Sequence, residues 1–158
     1  MGDVPDFSDE ELKRLGDFLY RRTGMVFNEA KRYYVERRLI DRMAATGAAS
    51  FAAYFTQLRA DGEGEIEHFI NAFTVNETYF YREEHQLQCL SNDLLRERLE
   101  VNRGAPLRIW SAPCSTGEEP YSIAIWLLEN WPHVDDHEIE IIGSDIDTRA
   151  IDAARDGF

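Results

Sequence analysis

Basic residues are scarce in this chain. Its 17 lysines and arginines face 30 aspartates and glutamates, a formal net charge of −13. That balance excludes a general nucleic-acid binder, which needs a basic surface to release phosphate counterions. Cysteine is almost missing too: Cys89 and Cys114 have no metal-ligand spacing and suggest no disulfide framework, so a reducing compartment is expected. No apolar run reaches membrane-spanning length. The start MGDVPD carries neither a signal peptide nor the Ser or Thr of a myristoylation pattern, so the expectation is a soluble, cytoplasmic protein with no membrane insertion. Glycine is lacking in one telling place. The loop after the first candidate strand holds Gly117 alone, where a dinucleotide fold uses G-x-G-x-x-G to point bare amides at a pyrophosphate. A nicotinamide-binding half-domain is disfavoured on that ground. What remains is 158 residues of which 44% are hydrophobic, enough to build the core of one ordinary domain or two small ones.

Helical periodicity organises the amino-terminal part. Ser8-Asp9-Glu10-Glu11 reads as a helix start, with Ser8 as cap and Glu11 at the capping-box position, followed by Leu12, Leu15, Phe18 and Leu19 up to Gly24. Asn28 to Met43 repeats the pattern, with Val35, Leu39, Ile40 and Met43 along one side. Phe51, Tyr54, Phe55 and Leu58 make a third helix ended by the turn Asp61-Gly62-Glu63-Gly64, and Glu65 to Phe73 is a fourth. A longer helix, Glu83 to Val101, carries Leu87, Leu90, Leu94, Leu95 and Leu99 and stops at the breaker Asn102-Arg103-Gly104-Ala105-Pro106. The expected domains are therefore a helical bundle over 1–82, a connecting helix and linker over 83–106, and the first part of an α/β domain over 107–158.

After Pro106 the period changes. LRIWSA, the turn-rich PCSTGEEP, an amphipathic segment and the apolar EIEIIGS leading to Asp145 form a β-α-β unit. Glu118 and Glu119 stand at the helix entrance, where they would repel a phosphate and suit a ligand that is adenosine-like at one end and cationic at the other. Either one alone has a plain structural alternative, because carboxylates in a first turn complement the helix dipole. Asp145 sits where a doubly wound unit sets an acid on ribose hydroxyls; the alternative is a surface-turn aspartate, and Asp147 is read as the cap of the next helix. Ser115 and Thr116 offer hydroxyls and amides to the same cleft, and Gly117 permits close approach. His133 and His137 are four apart, but Pro132, Asp135 and Asp136 make this a turn, so no metal is expected. Cys114 has no identifiable base to activate it.

Two blocks carry a resemblance. TVNETYFYREEHQ from Thr74 to Gln86, and WSAPCSTGEEPYSIA with its later SDIDT from Ser144 to Thr148, resemble the chemotaxis receptor methyltransferase family, which moves a methyl group from S-adenosylmethionine to glutamate side chains of receptors. The likeness covers nearly the whole chain. It implies an α + α/β architecture: a helical bundle followed by the start of a Rossmann-like class I methyltransferase domain, whose later strands in the family lie beyond Phe158. It also implies S-adenosylmethionine as cofactor, S-adenosylhomocysteine as product, and cofactor contacts from Asn76, Thr78, Arg82, Ala112, Ser115, Thr116, Gly117, Glu118, Glu119 and Asp145, with Glu119 the closer to the methionine ammonium. Arg82 is the expected catalytic residue, because a guanidinium matches a substrate carboxylate in bidentate fashion.

On the second helix, Lys31, Arg38 and Arg42 share one edge and suit the acidic helical methylation region of a receptor; the alternative is a solvated basic face. A different class of function, a non-catalytic module that binds the cofactor or docks a partner, stands as the second reading. A single β-α-β unit is expected to leave the edges of Ile109 and Ile141 unpaired and the helix around Ile123, Ile125 and Leu127 partly uncovered, with methyl transfer absent in the segment alone and the segment either weak in cofactor binding or stabilised by exchanging elements with another copy.

Overall fold

Ser8 begins the fold as the sequence predicts. In the computed structural model, which describes residues 6–60, 64–102 and 104–157, the Ser8 hydroxyl accepts from the Glu11 amide while the Glu11 carboxylate accepts from the Ser8 amide, opening α1 (Asp9–Thr23) with a capping box. The chain forms two compact units, residues 1–74 and 75–158. In the first, α1 is followed by a 3-10 turn (Glu29–Lys31), α2 (Arg32–Thr46), α3 (Phe51–Ala60) and α4 (Gly64–Phe73). The second helix thus starts later than Asn28, after a tighter turn. The predicted turn at Asp61-Gly62-Glu63 lies outside the described residues. Leu15, Leu19, Leu39, Tyr54, Leu58 and Phe69 fill the core of this unit, each from the apolar stripe of its own helix.

The basic edge of α2 is largely spent inside this unit. Arg42 forks onto the buried Glu65 of α4, Nε at 3.0 Å from Oε1 and Nη2 at 2.5 Å from Oε2, and the buried Tyr54 hydroxyl donates to the same carboxylate at 2.6 Å. Arg38 Nε donates to the Ala72 carbonyl at 2.5 Å, one of the carbonyls left over at the end of α4, and its guanidinium lies 3.2 Å from the centre of the Tyr34 ring. Lys31 alone of the three predicted docking cations is exposed. Arg42 is a core-closing residue, which corrects its placement in a docking surface: sequence spacing showed the shared edge but not the buried acid waiting opposite it.

The second unit runs α5 (Glu84–Cys89), a π-helical turn (Leu90–Leu94), α6 (Leu95–Asn102), β1 (Leu107–Ser111), α7 (Glu118–Asn130), a 3-10 turn (Val134–Asp136), β2 (Ile139–Gly143) and α8 (Thr148–Asp156). The helix expected to run unbroken from Glu83 to Val101 is widened by the π turn. That turn keeps Leu87, Ser91 and Leu95 on one buried line while Leu94 stays 52% exposed, and the buried Ser91 hydroxyl accepts from the Trp126 indole N–H at 3.1 Å. Leu87 and Leu95 join Leu107, Ile123, Leu127 and Trp131 in one core, so this helical run belongs to the α/β unit rather than standing apart as a connector. Arg103, in the predicted breaker, lies outside the described residues. Among those residues no helix is long and apolar enough to cross a membrane.

β1 and β2 pair in parallel, Leu107 opposite Ile139 through Ser111 opposite Gly143. The crossover is α7, as the β-α-β reading requires. Of the helix expected to be partly uncovered, Ile123 and Leu127 are buried in the core that includes Leu87 and Leu95 from the helices before β1, which corrects the expectation for those two, while Ile125 is half-buried. The uncovered surface is the opposite face of the sheet. There the register partners Trp110 and Ile142 are 72% and 43% exposed, beside an ion pair between Arg108 and Glu140 at 2.8 Å.

Candidate functional site

The site is built at the carboxyl ends of β1 and β2, where a parallel sheet leaves room between diverging loops. After Ser111 the chain passes the cis Ala112-Pro113 bond and reaches Ser115 and Gly117 with φ of 48° and 100°. Gly117 is required by its neighbour. A Cβ there would sit 3.2 Å from Ala154 Cβ of α8, so its smallness serves the packing of α8 as well as the left-handed backbone. Gly143 is similarly constrained, since a Cβ would lie 3.0 Å from Cys114 Sγ; the sequence carried no signal for this contact.

The two glutamates have different tasks. Glu118 folds back to accept from the Thr116 hydroxyl at 2.6 Å, closing the first turn of α7 on itself. Glu119 accepts from the hydroxyl of Ser111 at 2.6 Å, and Ser111 is buried at the end of β1. Glu119 is therefore the carboxylate held at the strand end, while remaining exposed. Neither Ser111 nor this bond was legible from spacing. Asp145 lies two residues past the end of β2 and is half-buried. One oxygen accepts from the Ser115 amide at 2.8 Å and the other from the Asp147 amide at 2.9 Å. A carboxylate offers about four acceptor positions, so two remain for hydroxyl donors. Two free acceptor positions fit the two hydroxyls of a ribose. Asp147, as predicted, caps α8 by accepting from the amides of Arg149 and Ala150.

The segment from Val75 to Glu83 is strapped to this loop. The Ser115 hydroxyl donates to the Asn76 carbonyl at 3.2 Å, and Asn76 Nδ2 donates to Asp147 at 2.7 Å. Further on, the Tyr81 amide donates to the Ser122 hydroxyl of α7 at 2.9 Å, and that hydroxyl donates to the Glu118 carbonyl at 2.5 Å. Tyr81 and Glu83 have φ of 59° and 57°, a conformation that side chains resist and that collects where a neighbouring residue must be aimed. The residue between them is Arg82. Its guanidinium is exposed, donates to the Glu77 carbonyl at 2.9 Å and sits 5.8 Å from the centre of the Tyr79 ring. Thr78 is half-buried and Ala112 exposed on the same segments.

Other reactive side chains stand aside. Burial, with Asp145 and then Glu119 adding their charge, pushes the Cys114 thiol up, the wrong direction for a nucleophile. His133 and His137 both pack against Trp131, 5.9 Å and 5.7 Å between ring centres. A cleft of about 810 Å³ in the first unit, lined by α1 and residues Met25–Glu29, shares no residue with this site.

Comparison with known proteins then separates the two units. Residues 10–74 match the description "CheR methyltransferase, all-alpha domain", and residues 76–158 match "CheR methyltransferase, SAM binding domain". The chain belongs to the CheR methyltransferase family. Among CheR relatives, chemotaxis protein methyltransferase 2 of Vibrio cholerae is 47% identical over 152 residues, covering 96% of this chain and 53% of that protein. Chemotaxis protein methyltransferase 2 of Pseudomonas aeruginosa is 45% identical over 96% of this chain and 52% of its own length. The chemotaxis protein methyltransferase of Salmonella typhimurium is 38% identical, with 96% and 50% covered. The chain spans about half the length of the curated CheR relatives it matches.

Proposed function

We propose that the protein carrying this segment transfers a methyl group from S-adenosylmethionine to glutamate side chains of chemotaxis receptors, forming methyl esters. The observation that carries the reading is the junction at the carboxyl ends of β1 and β2, where Asp145, Glu119 and the strapped Asn76–Arg82 segment meet. Asp145 keeps two acceptor positions for ribose hydroxyls, and Glu119 supplies a negative charge for the methionine ammonium. The cofactor supplies a methyl group on a sulfonium, an excellent leaving group. A glutamate, with a reference pKa of about 4.3, is ionised near neutrality, so no residue of this chain has to take a proton from it. The protein's task is alignment: Arg82 pairs with the incoming carboxylate and fixes the line from oxygen to methyl carbon.

Asp145→Ala tests the cofactor assignment. It is expected to weaken S-adenosylhomocysteine binding to the full-length protein by about 1 to 3 kcal/mol, the scale for losing buried polar partners. Calorimetry with unchanged affinity in both Asp145→Ala and Glu119→Ala would remove this site from cofactor binding.

For the receptor, the docking edge contributes modestly, because Arg38 and Arg42 are bonded inside the helical unit. Lys31→Glu is expected to lower methylation of an acidic receptor about two- to fivefold at low salt, within the range of one surface charge pair, and the difference should vanish as salt rises. Rates that match wild type at every ionic strength would make Lys31 a solvated charge only.

A further inference from the structure

Four hydrogen bonds close a ring. Ser115 Oγ donates to the Asn76 carbonyl at 3.2 Å, the Ser115 amide to Asp145 Oδ2 at 2.8 Å, the Asp147 amide to Asp145 Oδ1 at 2.9 Å, and Asn76 Nδ2 to Asp147 Oδ2 at 2.7 Å. Its members come from the segment before α5, the loop after β1 and the loop after β2. Asp147 is the buried corner, at 0% exposure, and also pairs with the Arg149 guanidinium at 2.9 Å. Capping α8 does not explain that burial. A cap needs one acceptor oxygen, serine serves as well as aspartate, and burying a carboxylate is costly unless it is fully paired. In this structure Oδ1 accepts from the amides of α8 and from Arg149 Nε at 3.2 Å, while Oδ2 accepts from Arg149 Nη2 at 2.9 Å and, across the loop, from Asn76.

We infer that Asp147 is a positioning residue: its second oxygen fastens the Asn76–Arg82 segment to the Asp145 loop, so that a ligand on Asp145 and the placement of Arg82 are coupled. The inference rests on Asp145 as the ribose acceptor. It gives Asn76 a task besides cofactor contact, since one N–H of its side-chain amide is donated to Asp147. Removing the link loosens Asp145 indirectly, because the Ser115 loop and the Asp147 amide both bear on its carboxylate.

Asp147→Ser separates this role from capping, since it keeps a cap for α8 and loses the reach to Asn76, while the Arg149 guanidinium, 64% exposed, is given back to solvent. In the full-length protein its thermal midpoint should stay near wild type. Its dissociation constant for S-adenosylhomocysteine should rise about tenfold, and the unliganded Ser115 amide should exchange with solvent about tenfold faster. The reciprocal pair Asn76→Asp with Asp147→Asn rebuilds the bond with donor and acceptor exchanged while keeping an oxygen for the cap. It should bind within about threefold of wild type, whereas each single change binds more weakly. Wild-type affinity and Ser115 exchange in Asp147→Ser would overturn the inference. If that variant does not fold, a reciprocal pair no better than its singles would overturn it instead. A faster Ser115 amide in Asp147→Ser, alongside a wild type that does not bind S-adenosylhomocysteine, would sink the cofactor reading while the ring's hold on Asp145 stands.

Discussion

Arg82→Ala is expected to lower methyl transfer by the full-length protein about a hundredfold while changing S-adenosylhomocysteine affinity by less than about fivefold. The split follows from where the side chain is held. Tyr81 and Glu83 take left-handed backbone on either side of it, and the Tyr81 amide is tied to Ser122 of α7. The turn is therefore anchored by its backbone and by its neighbours, and the exposed Arg82 guanidinium gives up its bond to the Glu77 carbonyl and its contact with the Tyr79 ring when removed. Affinity for the product should survive because the adenosine end is assigned to Asp145. Turnover should not, because an unaligned carboxylate meets the methyl group at unproductive angles. Single-turnover rates together with calorimetry on the same variant make the comparison. Equal losses in both, or full turnover, would take Arg82 out of substrate alignment.

The second large effect concerns stability. Glu65→Ala is expected to destabilise the helical unit by about 3 to 5 kcal/mol, because Arg42 and Tyr54 lose the partner on which both converge. Glu65 is 4% exposed and Tyr54 fully buried, so water cannot replace the Tyr54 bond without opening the core, while Arg42, its side chain 22% exposed, recovers part of its loss from solvent. All three tryptophans, Trp110, Trp126 and Trp131, lie in the second unit, so their fluorescence should hardly report this loss while far-UV circular dichroism does. A pH arm adds a sign. Burial, reinforced by Glu65, raises the Tyr54 hydroxyl above its ordinary value. Its contribution is then intact below about pH 10, the ordinary tyrosine value, and declines as pH rises further, because the unfolded chain gives up the proton more readily. Tyr54→Phe should flatten that alkaline decline. A Glu65→Ala melt that coincides with wild type would show that Arg42 is closer to a surface cation, and its place in a docking edge would reopen.

Much of the architecture was legible because it is local. The Ser8 capping box, the four amino-terminal helices and the period change after Pro106 depend on residues within a turn or two of one another, and they appear in the structure with shifts of a few residues. The family likeness rested on two contiguous blocks, and the matches over 10–74 and 76–158 bear it out. The π turn was not legible. Leu94 and Leu95 are equally apolar, and the choice between them is made by Leu107, Ile123 and Leu127 across the core. The burial of Ile123 and Leu127 was also not legible, because coverage of that side of α7 depends on helices that precede β1 in the chain.

The sequence by itself determined that an acidic, glycine-poor loop follows the first strand and that an aspartate follows the second, and both survive as the walls of the candidate site. Which partner each carboxylate takes was decided only by tertiary structure. Glu118 and Glu119 are adjacent and chemically identical, yet one turns to Thr116 and the other to Ser111. Asp145 and Asp147 are two apart, yet one is half-buried with acceptor positions left and the other is fully enclosed by Asn76 and α8. Spacing sets the direction in which a side chain leaves the backbone. Its role depends on the partner that meets it there, and for Arg42 and Asp147 that partner comes from a distant part of the chain.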